Sequence, residues 1–228
     1  MGELILCSHP IAAMPYYIDN ISLNVYSLEE LCYYIENHLY LIEADFMSEE
    51  LCLWIGQELD EKDLAQSLRS VLLGNGSLSD FTELILRSCG YCSEDTIRHI
   101  RSVLLDMQNK SVFECSKIRA DRYMESEKYV KAIHEYRKLL GMEEECKKNP
   151  VLEGNIRHNL GTACAELFLF DEAAANFLNA YRLNQNRESL AACMAACRLA
   201  KKTDILKKYK EEFHVSDEAF KSMSDHVS

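Results

Sequence analysis

The chain has 228 residues, a formal net charge of −12 and 48% apolar side chains. That apolar share is ample for a buried core and excludes a disordered chain. The acidic balance repels phosphate backbones and anionic lipid headgroups, so neither nucleic acid nor a membrane is expected as a partner.

The charge is uneven. Residues 1–110 hold 18 acidic and 6 basic side chains, whereas residues 111–228 hold 19 of each. Only three Pro and eight Gly occur, and with few helix breakers the chain is expected to be all-α. The ten Cys fall mostly among apolar neighbours, as small core residues kept reduced do. The N-terminus has no basic region, and no run reaches the roughly 18 apolar residues of a membrane helix. Met1-Gly2 opens like a myristoylation site, but Leu6 stands where Ser or Thr is required. The expectation is a cytoplasmic protein with free thiols.

In chain order, Leu4–Cys7 reads as a short strand or an extended arm, and Pro15 as the start of a helical turn through Tyr16, Tyr17 and Ile18. Ile21, Leu23 and Val25 alternate with polar neighbours or Tyr26, a weak strand pattern that an apolar arm explains equally well. From Ser27 onward helical signals dominate. Ser27 and Glu30 have capping-box spacing ahead of a stripe of Leu28, Leu31, Ile35 and Leu39. Ser48 caps a second helix with Leu51, Trp54, Ile55 and Leu59 on its core face. Asp60 is placed as the cap of a third, carrying Leu64, Leu68, Val71 and Leu72, closed by the loop Gly74-Asn75-Gly76. Phe81, Leu84 and Ile85 mark a fourth that ends at Gly90. Ser93 caps a fifth, with Ile97, Ile100, Val103 and Leu104 inside.

Further on, the chain repeats itself. Ala120, Tyr123, Tyr129, Ala132, Ile133 and Tyr136 stand 41 residues before Gly161, Cys164, Phe170, Ala173, Ala174 and Phe177. This order of small and aromatic residues resembles the tetratricopeptide repeat, a pair of antiparallel helices whose small residues let two backbones approach. Two repeats fall within residues 112–184, and a degenerate third runs to about 212, with Ala195 at its small-residue place. The usual period is roughly 34, so the first interval holds about seven extra residues, two helical turns, in the helix after Leu140, the loop before Pro150, or both. Ser216 then starts a final helix with Ala219 and Phe220.

The resemblance implies a right-handed α-α superhelix, a solenoid to which the acidic helices of residues 1–110 add further layers, so that 1–110 and 111–228 form one continuous structural unit. It also implies a protein or peptide ligand on the concave face, which the first helix of each pair lines. That face would carry Lys117, Asp121, Met124, Asn155, His158, Asn159 and Thr162. Some members of the family clamp a C-terminal carboxylate with two Lys, two Asn and an Arg. Lys117 and Asn159 match that set, but Asp121 replaces the first Asn, and Ser189 and Cys193 replace the later Lys and Arg. The functional expectation is therefore a non-enzymatic adaptor or scaffold.

Two other classes compete with it. A regulator would use the N-terminal helices as an effector, and a DNA reader would need cations free on its recognition helix. Arg98, Arg101 and Lys110 cluster on the fifth helix, but among Glu94, Asp95 and Asp106. A thiol-redox protein would use Cys89-Gly90-Tyr91-Cys92, yet the preceding residues read as helix, not the strand that such a fold needs. Cys193 and Cys197 share a helical face but lack a partner pair at metal-ligand spacing, so no catalytic, cofactor or metal residue is assigned.

Overall fold

The computed structural model describes residues 9–216. The expected arm at Leu4–Cys7 and the body of the expected helix through Ala219 and Phe220 lie outside the described residues. The chain divides into two compact units, Met1–Lys110 and Ser111–Ser228. The fold is all-α: twelve α-helices, two short 3-10 turns and one two-stranded hairpin among the described residues.

The first unit opens with that hairpin. Strand β1 (Tyr16–Ile18) pairs antiparallel with β2 (Leu23–Val25), Tyr17 opposite Asn24. The helical turn expected after Pro15 is not formed. Polar Asp19 and Asn20 close a tight connection, with Ser22 in the left-handed region, and pairing to Leu23–Val25 takes up the backbone groups that a helical turn would have used. Ile18 and Val25 are buried while Tyr17 is exposed, the alternation of a half-buried strand.

Helices α1 (Leu28–His38), α2 (Glu49–Gln57), α3 (Lys62–Leu73), α4 (Leu78–Cys89) and α5 (Glu94–Asn109) follow, with 3-10 turns at Leu39–Leu41 and Ala44–Phe46. Each cap has a local cause. The hydroxyls of Ser27, Ser48, Ser77 and Ser93 accept from the amides of Glu30, Leu51, Asp80 and Thr96. Glu30 does not complete its box; its carboxylate accepts from the Tyr26 amide instead, at 2.7 Å. Asp60 does not cap α3. It takes a left-handed conformation (φ 57) that tightens the turn out of α2, so Glu61 becomes the last residue before the helix. Asp60 pairs instead with Lys62 at 2.6 Å. The core is formed by Leu28, Leu31, Ile35, Leu51, Ile55, Leu68, Phe81 and Ile85 from four helices, with Leu59 from the turn that follows α2. The hairpin arm is held to α2 by the Trp54 indole, which donates to the Met14 carbonyl at 2.7 Å.

In the second unit, α6 (Val112–Glu125) packs on α7 (Tyr129–Gly141), α7 on α9 (Pro150–Glu166), α9 on α10 (Phe170–Asn184), α10 on α11 (Arg187–Leu199) and α11 on α12 (Thr203–Glu212). The extra residues of the first interval lengthen neither the helix nor the loop. They fold as a separate short helix, α8 (Glu143–Lys148), whose Cys146 is buried and which packs on both α7 and α9. Pro150 then starts α9, where its missing N–H costs nothing.

The three turns within these helix pairs are alike. Glu127, Phe168 and Lys201 each take a left-handed conformation. The amide of the next residue returns to the carbonyl of Tyr123, Cys164 or Cys197, at 2.8, 2.9 and 2.9 Å. The turns stand 41 and then 33 residues apart, which corrects the third register by one residue. Met194, fully buried, is the counterpart of Ala120 and Gly161, and Ala195 is only half-buried. A long side chain fits there because α12 buries none of its own residues. Met194 packs with Leu190 against Tyr181, Leu206, Tyr209, Phe213 and Val215.

Candidate functional site

The seven residues expected to line a groove lie on α6 and α9, and most are engaged in a hydrogen-bonded layer. Asp121 on α6 is its hub. Its carboxylate accepts from Lys117 Nζ at 2.6 Å and from the Tyr136 hydroxyl at 2.7 Å. Asn159 on α9 closes the layer, with its Nδ2 3.4 Å from Asp121 Oδ1 and 3.3 Å from the Tyr136 oxygen. Tyr136 is fully buried. Burial, and next the Asp121 carboxylate that accepts its proton, push its phenol far above the ordinary value of 10. It is therefore a fixed donor at any physiological pH.

His158, one residue earlier on α9, points to the other neighbour. Its Nδ1 lies 2.9 Å from the hydroxyl of Ser189, which is fully buried on α11, and its ring packs on Phe177 with centroids 5.2 Å apart. Burial lowers its pKa, and Glu188 opposes that shift. Helix α9 is thus bonded to α6 through Asn159 and to α11 through His158.

Asn155 does not join this layer. Its Oδ1 accepts from Asn184 Nδ2 at 3.0 Å. Thr162 donates to the His158 carbonyl within α9, at 3.2 Å. Met124 is half-buried near the end of α6. With the third register corrected, Glu188 and Ala192, rather than Ser189 and Cys193, stand where a carboxylate clamp has its later Lys and Arg. Two partners in the layer, Tyr136 and Ser189, carry no signal of it in the sequence. By spacing alone Tyr136 is an aromatic packing position and Ser189 a clamp position; only tertiary packing brings their hydroxyls to Asp121 and to His158.

The first unit holds a second cluster. His9, Glu29 of α1 and Cys89 at the end of α4 offer one ligand atom each, all within 4.8 Å of one another. His9 donates through its backbone N to Glu29 Oε1 at 3.1 Å, and its Nδ1 lies 3.0 Å from the same oxygen. The other ring nitrogen lies 3.9 Å from Glu61 Oε1. Cys32, one turn after Glu29, donates its thiol to the Ile85 carbonyl at 3.8 Å; the Cys89 thiol beside it, and then burial, raise the Cys32 pKa, and the same pairing lowers that of Cys89. Gly90 caps α4 in the left-handed conformation, so Cys89 sits at a helix C-terminus, and burial pushes Cys92 up to about 11. Linear spacing hid this cluster, since its members come from residues 9, 29, 32 and 89. Cys193 and Cys197 are both buried, one turn apart on α11.

Comparison with known protein families, with curated proteins and with solved structures finds no match. No helix among the described residues is long and apolar enough to cross a membrane.

Proposed function

We propose that residues 111–212 form a tetratricopeptide-like array of three helical hairpins, wound as a right-handed superhelix, and that the chain is a non-enzymatic adaptor. The face built by α6, α9 and α11 holds a segment of another protein. The observation that carries this reading is the bonded layer across those three helices, Asp121 to Asn159 and His158 to Ser189. Such cross-helix bonding fixes the spacing of the helices that line one side of a groove, so the groove is preorganised for a ligand.

Asp121 and Glu188 occupy places where carboxylate-clamping members of the family carry Asn and Lys. The ligand that suits this face presents an ammonium or guanidinium group, with a backbone for Asn159 and Thr162 to address.

The DNA-reading alternative is disfavoured by the arginines of α5. Arg98 is paired with Asp95, Arg101 with both Asp80 and Glu83, and Lys110 with Asp106 at 2.7 Å. Phosphates would have to displace those carboxylates within an acidic unit.

The test is photo-crosslinking of the full chain in cells, with a reactive side chain placed at Met124, at Thr162, or at Asn179 on α10. The expected result is a crosslink from the first two positions, and not the third, to a protein segment bearing Lys or Arg. Equal crosslinking from all three, or a small molecule copurifying with no protein, would overturn the proposal.

A further inference from the structure

We propose that His9, Glu29, Cys89 and Cys32 form a binding site for a divalent transition metal of the zinc class. The ligand set is one imidazole, one carboxylate and two thiols, the mixture that a borderline cation such as Zn²⁺ prefers and that Mg²⁺ or Ca²⁺ does not.

Geometry permits it. Three atoms within 4.8 Å of one another share a centre no more than about 2.8 Å from each. Zinc bonds are about 2.0 Å to N and O and 2.3 Å to S, so roughly 0.5–0.8 Å of inward movement brings each of these three ligands to bonding distance. The fourth position falls to Cys32, which follows Glu29 by three residues on the same face of α1; its thiol stands outside the 4.8 Å trio and donates to the Ile85 carbonyl at 3.8 Å, a weak bond that it exchanges for the metal.

The surroundings point the same way. With Nδ1 turned to the metal, the other ring nitrogen faces Glu61 at 3.9 Å, and a carboxylate behind a ligating imidazole fixes its tautomer and raises its basicity. Side-chain exposure is only 18% for His9 and 8% for Glu29, and Cys89 is 8% exposed. A carboxylate beside two thiols in so dry a place is costly as thiolates form; a dication offsets those charges where one imidazolium offsets a single one.

Binding releases the protons of Cys89 and Cys32 and any proton on His9 Nδ1, with no change in oxidation state. Four protein ligands leave no open position, so the site is structural. It ties the segment before β1, the first turn of α1 and the end of α4 into one staple. The motif Cys89-Gly90-Tyr91-Cys92 then contributes one ligand, and Cys92 stands outside the shell.

The experiment uses the full chain, purified reduced and stripped with a chelator, then titrated with Co²⁺. One equivalent is expected to bind with the visible bands of tetrahedral cobalt and a near-ultraviolet thiolate-to-cobalt charge-transfer band, both lost on adding Zn²⁺. Cys89→Ser should cut the charge-transfer intensity by about half, Glu29→Gln should weaken binding more than tenfold, and Glu61→Gln should weaken it about 10–100-fold. Cys92→Ser should change nothing. Helical circular dichroism checks that each variant folds, and if Cys89→Ser unfolds, Glu61→Gln still reports on the site. The proposal falls if reduced protein gives no charge-transfer band, or if the band survives Cys89→Ser at full strength.

Discussion

Gly161 faces the ring of Phe177 so closely that a Cβ on it would lie 2.8 Å from two ring carbons. Phe177 is buried, and the contacting atoms belong to the body of its ring rather than to a flexible end. The approach of α9 to α10 therefore depends on the missing side chain. Gly161→Ala gains up to about 1 kcal/mol of helix propensity and loses about 1–3 kcal/mol to overpacking, for a net loss on the order of 1 kcal/mol. Gly141, the last residue of α7, is the control, because a Cβ there meets nothing within 4 Å. Gly141→Ala is expected to raise stability by about 0.5 kcal/mol. Urea denaturation of both variants checks the pair; two losses, or two gains, would refute the argument.

This close approach is legible in the sequence, and other features are not, each for its own physical reason. Small residues at Ala120, Gly161, Ala132 and Ala173 announce a helix contact because nothing else needs them at that spacing, and all four are buried. Serine caps were legible because a cap is a local event. The conformation of Tyr16–Ile18 was not, since strand pairing is decided by Leu23–Val25 and not by Pro15. The register at Met194 was missed for another reason. Left-handed turn residues are usually Gly or Asn, but Glu127, Phe168 and Lys201 take those places here, so no residue type marks where the turns close. The layer through Tyr136 and the cluster around Cys89 were hidden because their members are distant in the chain.

Tyr136 and Asp121 are expected to be energetically coupled. Tyr136→Phe removes the hydroxyl that donates to Asp121 at 2.7 Å, but leaves that half-exposed carboxylate to Lys117, Asn159 and water, at a cost of about 0.5–1.5 kcal/mol. Asp121→Ala strands the buried hydroxyl without its acceptor and costs about 1–3 kcal/mol. Together the two changes should cost less than the sum of the singles by at least about 0.5 kcal/mol, as expected for partners in one network. A double-mutant cycle in urea measures this, and strict additivity would show that the layer is incidental.

His158 should make the second unit sensitive to mild acid. Burial against Phe177 disfavours the imidazolium, so the folded-state pKa lies below the ordinary 6.5 even though Glu188 pulls the other way. Between that lowered value and 6.5, the unfolded chain binds a proton that the folded chain refuses. Stability from this group is therefore complete above 6.5, falls as pH drops toward the folded value, and levels off below it. The variant His158→Gln keeps a hydrogen-bonding side chain toward Ser189 but cannot titrate, so it should lack this part of the acid loss. The measurement is the urea midpoint of both proteins between pH 7.5 and about 5.5. Because every other carboxylate and imidazole is common to the two chains, the difference in their slopes isolates His158, and parallel slopes would mean that its ring takes up a proton as readily folded as unfolded.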